Sequence, residues 1–160
     1  MSGERGSSQG KILVVDDDPI VLKTVSSILG FAGYGVVAIS DAVEGLTAVK
    51  DPTIDVAVLD IQMPNLSGMD LLKAVRQARP DVEVIMMTAF ATVATAVEAV
   101  KAGAYDYLTK PFDNIDDLTL VVKRAFEKKQ LQGRALALQA RLAAYSQFEE
   151  LVGQSALMQS

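Results

Sequence analysis

The sequence predicts a doubly wound α/β domain, a five-stranded parallel sheet with helices on both faces, followed by an extended C-terminal helix. Two observations predict it. From Lys11 onward, short apolar runs alternate with segments of helical periodicity, which is typical of βα units. The runs are mostly continuous, as expected for strands buried on both faces. The 160 residues, 50% of them hydrophobic, suffice for one such domain plus an extension.

The apolar runs place the five strands along the chain. The strands are expected at Lys11–Asp16, Gly35–Ile39, Ile54–Asp60, Glu83–Thr88 and Tyr105–Leu108. The common spatial order for five such units is 2-1-3-4-5, as in flavodoxin-like folds, and it puts the first strand beside the third. The carboxyl ends of the strands then share one edge of the sheet.

The first helix is predicted to begin after Asp18, because Pro19 suits the first helical position behind a capping carboxylate. Its predicted apolar face consists of Val21, Val25, Ile28 and Leu29. Two glycines, Gly30 and Gly33, are predicted to end it.

The next three helices have side chains suited to capping their first turns. The predicted caps are Asp41 for the second helix, Ser67 for the third and Thr92 for the fourth. Helical spacing predicts that the third helix turns Leu71, Leu72, Val75 and Ala78 inward, and that the fourth turns Val93, Ala96, Val97 and Val100 inward.

The last helix is predicted to run from about Asn114 to Tyr145, longer than a compact domain needs. Its first part has a face for the sheet, formed by Leu118, Val121, Val122, Ala125 and Phe126. Beyond it, a seam at 4-3-4-3 spacing consists of Leu131, Ala135, Leu138, Leu142 and Tyr145. A seam of this kind predicts a homodimer. Alternatively, these residues cover the domain's own surface or the helix frays, since Gly133 weakens it by about 1 kcal/mol.

The composition of the chain limits which ligands and metal ions it can bind. The chain has a net charge of −5, a pI of about 4.7, no His and no Cys. These numbers argue against direct contact with nucleic acid, and against thiolate and imidazole metal sites. Carboxylate oxygens remain, and they suit Mg²⁺. Since no apolar run approaches about 18 residues and Met1–Gly10 has no hydrophobic segment, we expect a cytoplasmic protein that does not contact membranes.

Polar residues stand at the ends of four predicted strands: Asp16 and Asp17 follow the first run, and Asp60, Thr88 and Lys110 follow the third, fourth and fifth. Open α/β sheets bind ligands at this edge. Three carboxylates gathered there repel one another unless a cation lies among them, which favours Mg²⁺. Taken singly, each aspartate could be a cap, Thr88 a hydroxyl bonded to backbone and Lys110 a solvated charge.

A carboxylate beside Mg²⁺ can attack phosphorus and form an acyl phosphate. Asp60, at the end of the central strand, is best placed to do so. Lys110 on its other side would neutralise charge on the transferred group, and Thr88 could bind a phosphoryl oxygen.

Four motifs resemble the receiver domain of two-component response regulators: Val14–Asp17, Leu59–Pro64, Met87–Ala89 and Gly103–Phe112. They occur in the family's order, and the resemblance runs from about Lys11 to Lys129. It implies a signalling domain, not a turnover enzyme, that accepts a phosphoryl group from a sensor histidine kinase.

The resemblance also assigns roles. It implies that Asp60 is the phosphoacceptor, and that Lys110 binds the phosphoryl group. For Mg²⁺, it implies Asp17 as a direct ligand, Asp16 as a ligand through water and Gln62 as a ligand through its main-chain carbonyl.

Further roles follow from the same resemblance. Thr88 and Tyr107 resemble the family's switch pair, and the Lys110–Pro111 peptide bond is expected to be cis. A physical argument adds Phe90, two positions after Thr88. Water must approach the acyl phosphate in line past this side chain, and a phenyl ring can only exclude it, so hydrolysis is expected to be slow unless the ring packs on the fourth helix.

The tail has a second resemblance. Phe148–Gln159 is similar to the start of the ATPase domain of NtrC-type sigma-54 activators, although the chain has no G-x-x-x-x-G-K-[ST] loop. We expect a disordered tail at 1–10, a receiver domain at 11–129, a helical coiled-coil linker at 130–147 and the start of a truncated ATPase domain at 148–160. Phosphorylation would control the ATPase and DNA-binding domains of a longer activator.

Three other functions predict different sequence features. A phosphatase working through an aspartyl phosphate would resemble haloacid dehalogenases, but no Asp-x-Asp-x-Thr motif follows the first strand. A flavin binder of the same fold would need a glycine-rich loop where Asp17–Pro19 is acidic. A stand-alone receiver that signals by docking needs no extension after Lys129.

Overall fold

A computed structural model describes residues 10–64, 66–89, 92–110 and 115–159. Strands and helices alternate along the chain. They are β1 (Lys11–Val15), α1 (Pro19–Phe31), β2 (Gly35–Ile39), α2 (Ala42–Ala48), β3 (Ile54–Asp60), α3 (Gly68–Ala78), β4 (Glu83–Thr88), α4 (Val93–Lys101), β5 (Asp106–Thr109) and α5 (Ile115–Gln159).

The five strands form one parallel sheet in the order β2-β1-β3-β4-β5, which confirms the predicted fold and topology. Two strands, β1 and β5, differ from the prediction at their ends. β1 ends at Val15, because the Asp16 side chain accepts a hydrogen bond from the Asp18 N–H and turns the chain toward α1. β5 begins one residue late and extends to Thr109, which pairs with Thr88.

Apolar side chains cover both faces of the sheet. On one face, Leu13, Leu59 and Met86 pack with side chains from α2, α3 and α4. On the other, Val14 and Val58 pack with side chains from α1 and α5. Burial of one such side chain contributes about 1.5–3 kcal/mol to folding. The sheet is therefore held between two helical layers, with the strand ends left open at its edges.

Side-chain caps begin the first four helices, as predicted. Asp18 accepts from Ile20 N–H, Asp41 from Glu44 N–H, Ser67 from Asp70 N–H and Thr92 from Thr95 N–H. The prediction that Gly30 ends α1 was wrong, because the helix continues through Phe31. Gly33, with φ +102°, makes the turn after it.

The predicted inner face of α4 was wrong. Val93, Val97 and Val100 are 81%, 46% and 57% exposed, whereas Ala99 is buried. α4 carries Ala or Val on nearly every side, so periodicity alone does not select a face, and the helix packs through its small residue. Ala78, predicted to face inward, is also exposed, because α3 ends there.

α5 packs its first part on the sheet as predicted, with Leu118, Val122 and Ala125 fully buried. The helix continues to Gln159, beyond the predicted end. The chain divides into two compact units, Met1–Phe126 and Glu127–Ser160. Nowhere in the part of the chain that the structure describes is a helix both long and apolar enough to cross a membrane.

Candidate functional site

Three of the predicted site residues are buried at the carboxyl ends of adjacent strands. Asp16 follows β1, Asp60 is the last residue of β3 and Thr88 is the last residue of β4. Their exposed fractions are 0%, 3% and 2%. The neighbouring Asp17 is exposed. The sheet order thus brings together residues that are far apart in sequence.

The three aspartates meet as predicted. One carboxylate oxygen from each of Asp16, Asp17 and Asp60 lies within 4.8 Å of the others. The structure therefore gathers the acidic residues that the sequence predicted as metal ligands.

Asp16 is held on both of its carboxylate oxygens. Its Oδ1 accepts from the Asp18 N–H at 2.9 Å, and its Oδ2 accepts from Lys110 Nζ at 2.9 Å. Asp18 is itself the cap of α1, so the start of that helix fixes the Asp16 side chain. Asp18 is a cap and not part of the acidic cluster, as expected from Pro19 behind it.

Asp60 is held by its own loop and by Lys110. Its Oδ1 accepts from the Gln62 N–H at 3.2 Å and lies 3.3 Å from Lys110 Nζ. The Lys110 backbone N–H donates to the Thr88 carbonyl at 2.7 Å. That bond continues the β4–β5 ladder past Thr109, and it fixes the position from which the lysine side chain reaches two carboxylates.

The charges at the site are only partly balanced. Burial, reinforced by the charge of Asp16, raises the pKa of Asp60 to about 6, against the lowering effects of the Gln62 N–H and Lys110. Burial alone would lower the pKa of Lys110, but its hydrogen bond to Asp16 and the charges of Asp60 and Asp16 raise it. An excess of negative charge therefore remains where the carboxylates meet.

That excess is what a divalent cation would neutralise. Mg²⁺ is bound by carboxylate and carbonyl oxygens together with water. The described residues offer Asp16, Asp17 and Asp60 as such donors, and the raised pKa of Asp60 shows that its charge lacks full compensation. The donor set therefore fits the ion that the sequence predicted.

Thr88 and Tyr107 lie on neighbouring strands. In the register of β4 and β5, Thr88 pairs with Thr109 and Met86 pairs with Tyr107. Side chains two apart on a strand share a face, so the Thr88 hydroxyl and the Tyr107 ring lie on the same face of the sheet. The half-buried Tyr107 packs against the buried residues of that face.

Some predicted site residues have an exposed side chain or are not among the described residues. The Gln62 side chain is exposed. Phe90 and Pro111 lie outside the described residues, so shielding by Phe90 and the cis Lys110–Pro111 bond stay predictions. Gly68, the first residue of α3, was not predicted as a site residue, yet it lies against the Asp60 backbone. The only indication in the sequence was that a glycine directly follows the predicted cap Ser67.

The family model of the response regulator receiver domain matches residues 12–123. This chain belongs to the response regulator receiver domain family. The match begins at the second residue of β1, includes β2 to β5 in full and ends at Lys123 within α5. It confirms the family that the four motifs indicated.

Curated relatives of this receiver domain are regulatory proteins. It is 34% identical over 148 residues to the regulatory protein AtoC of Escherichia coli K12, covering 92% of this chain and 32% of AtoC. It is 40% identical over 124 residues to the DNA-binding transcriptional regulator NtrC of Escherichia coli K12, covering 78% of this chain and 26% of NtrC. The chain thus spans about a third of the length of these relatives or less.

A solved structure shares the fold. The solution structure of the beryllofluoride-activated NtrC4 receiver domain dimer superimposes with a TM-score of 0.70 at 35% identity, over 74% of this chain and 98% of that one. These relationships confirm the resemblance to receivers of NtrC-type sigma-54 activators.

Proposed function

We propose that this receiver domain accepts a phosphoryl group on Asp60, with Mg²⁺ bound beside it, from a sensor histidine kinase. The position of Lys110 carries the proposal. Its Nζ lies 2.9 Å from Asp16 and 3.3 Å from Asp60, at the end of the sheet where the carboxylates meet. A cation held between an acceptor and a metal-binding carboxylate is placed to neutralise a transferred phosphoryl group.

The chemistry is a displacement at phosphorus. A carboxylate oxygen of Asp60 forms a bond to phosphorus while the bond from phosphorus to the donor's imidazole nitrogen breaks, and the imidazole leaves with the electron pair. With a pKa of about 6, Asp60 is mainly ionised at pH 7.5 and able to attack. This chain contains no His, so the donor imidazole lies outside it.

We assign the remaining roles as follows. Mg²⁺, when bound, neutralises charge on the phosphoryl oxygens. Asp17 would bind it directly, Asp16 through water, Asp60 through its carboxylate and Gln62 through its main-chain carbonyl. Lys110 forms an ion pair with the phosphoryl group.

Thr88 and Tyr107 are the proposed switch. The Thr88 hydroxyl binds a phosphoryl oxygen, and the Tyr107 ring turns into the space that the hydroxyl leaves. Their common face of the sheet supports this coupling.

The proposed output is control of a dimer and of the ATPase and DNA-binding domains of a longer activator. The seam residues Leu131, Leu138, Leu142 and Tyr145 are 55–62% exposed, so they need a partner. The lengths of AtoC and NtrC support further domains. In this proposal, residues 11–129 form the receiver, residues 130–147 the linker and residues 148–160 the start of the ATPase domain.

A second candidate is a receiver that signals by docking. The exposed valines of α4, Val93, Val97 and Val100, follow one another at i, i+4 and i+7 and form an apolar stripe. If truncation after Lys129 left signalling intact, docking through such a surface would replace the dimer as the output.

Intact-mass measurement tests the acceptor. Incubation with acetyl phosphate and Mg²⁺ should add one phosphoryl group, whereas EDTA should prevent the addition. Asp60→Asn should remain unmodified, and Asp117→Asn, at an exposed position on α5, should be modified like the wild type. Uptake by Asp60→Asn would refute the assignment.

A further inference from the structure

Gly68 lies directly on the backbone that carries Asp60. A Cβ atom at this position would collide with the Asp60 carbonyl oxygen and with Ile61 Cα, and would lie 2.8 Å from the Asp60 carbonyl carbon. These obstacles are backbone atoms, which cannot turn aside as a flexible side chain can. Only a residue without a side chain lets α3 begin here.

Hydrogen bonds show what this close approach holds in place. The Gly68 N–H donates to the Ile61 carbonyl at 2.8 Å, which joins the start of α3 to the end of β3. The Ile61 N–H donates to the Met87 carbonyl of β4 at 2.8 Å. Since the Gln62 N–H binds the Asp60 carboxylate, the loop that begins at Ile61 is fixed to the sheet, to α3 and to the acceptor.

We propose that Gly68 is a positioning residue for the Mg²⁺ site. By admitting the start of α3 against the Asp60–Ile61 peptide, it fixes the Asp60 carboxylate and the main chain of Gln62 in one arrangement. The inference rests on the proposed function, because it concerns the same site. It adds a residue that touches neither the metal nor the phosphoryl group.

The geometry predicts a specific defect when a Cβ is added. Either α3 moves and the Gly68–Ile61 hydrogen bond is lost, or the Asp60–Ile61 peptide moves and carries the carboxylate with it. Mg²⁺ requires near-ideal octahedral coordination at short distances, whereas Ca²⁺ accepts longer and less regular coordination. A displaced loop should therefore weaken Mg²⁺ binding more than Ca²⁺ binding.

Titration calorimetry with the whole chain tests this. In Gly68→Ala, we expect the Kd for Mg²⁺ to rise about tenfold to a hundredfold, the range typical of groups that orient metal ligands. The Kd for Ca²⁺ should rise less. Gly30→Ala is the matched control, since a Cβ at Gly30 has no heavy atom within 4 Å, and it should bind both ions like the wild type.

The outcomes separate this inference from the proposed function. A folded Gly68→Ala protein with wild-type affinity for Mg²⁺, or with equal losses for both ions, would overturn the positioning role alone. A wild-type protein that binds no Mg²⁺ would overturn the proposed function and this inference with it.

If Gly68→Ala does not fold, Ser67→Ala takes its place. It loosens the same helix start without adding a Cβ at Gly68, because Ser67 accepts the hydrogen bond from the Asp70 N–H at 3.2 Å. It should weaken Mg²⁺ binding several-fold and Ca²⁺ binding less. Unchanged Mg²⁺ affinity in this variant would contradict the inference.

Discussion

The Lys110 ammonium lies 2.9 Å from the carboxylate of Asp16, a fully buried residue 94 positions earlier in the chain. The same ammonium lies 3.3 Å from Asp60. One cation thus offsets two buried anions at the carboxyl ends of β1 and β3. Removing one partner of a buried ion pair is far more costly than removing an exposed pair, because the remaining charge stays desolvated.

Lys110→Met should therefore destabilise the metal-free protein by about 3 kcal/mol, measured by urea unfolding. Lys11→Met is the matched control, since Lys11 forms an exposed 3.2 Å pair with Asp51, and its loss should cost less than about 1 kcal/mol. Mg²⁺ should restore part of the stability of Lys110→Met. If both variants lost the same free energy of unfolding, the Lys110 ion pairs would be no more desolvated than the exposed Lys11–Asp51 pair, and the structural argument would fail.

The raised pKa of Asp60 predicts how stability depends on pH in the absence of metal. The folded protein holds the Asp60 proton up to a pKa of about 6, whereas the unfolded chain releases it near 3.8. The resulting stability is complete below pH 3.8 and is lost as the pH rises through about 6. Between pH 5 and pH 7.5, the Asp60 contribution should fall by about 1 kcal/mol.

Urea unfolding in EDTA at the two pH values measures this effect. Asp60→Asn should show the smaller pH dependence, since an amide does not titrate. Mg²⁺ should stabilise the wild type more at pH 7.5 than at pH 5, because at the lower pH it competes with the Asp60 proton. The same pH dependence in Asp60→Asn would assign the titration to another group.

Arg79 forms hydrogen bonds to the backbone at the opposite edge of the sheet, where the strands begin. Its guanidinium donates to the carbonyls of Val49, Asp51 and Ile54 at 2.8–2.9 Å and to the Asp81 carboxylate at 2.9–3.0 Å. Lysine has a single ammonium and cannot reproduce this planar set of bonds. Arg79→Lys should therefore lower the free energy of unfolding by about 2 kcal/mol, as carbonyls lose their donors.

Because these bonds lie at the amino ends of the strands, Arg79→Lys should leave phosphorylation from acetyl phosphate unchanged. Arg124 is exposed, so Arg124→Lys serves as a control. It should change neither the free energy of unfolding nor phosphorylation from acetyl phosphate. A large loss of phosphorylation in folded Arg79→Lys would mean that the two edges of the sheet are coupled.

The seam on α5 predicts a concentration-dependent dimer. Leu138 is 55% exposed and lies on the seam, whereas Leu136 is 66% exposed and lies off it. Leu138→Glu should shift the particle to a monomer in light scattering, while Leu136→Glu should keep the wild-type mass. A wild-type monomer at high micromolar concentration, with and without beryllofluoride, would rule out the seam as an interface.

Local sequence patterns were enough to predict the fold and the meeting of the three aspartates, Asp16, Asp17 and Asp60. Continuous apolar runs identify strands buried on both faces, and short-range capping residues such as Asp18 and Ser67 begin the helices. Because parallel strands in the order 2-1-3-4-5 end at one edge, the residues that follow them must meet. The convergence of Asp16 and Asp60 was therefore predictable from local patterns and one rule of topology.

The buried face of α4 and the close approach of Gly68 to the Asp60 backbone depend on long-range packing, which sequence patterns do not contain. The Val and Ala residues of α4 offer apolar surface in several directions, so packing against the sheet selects Ala99 and leaves Val93 in solvent. The role of Gly68 arises from the distance between the start of α3 and the end of β3. Such distances depend on how elements far apart in sequence pack together, and no local pattern of residues records them.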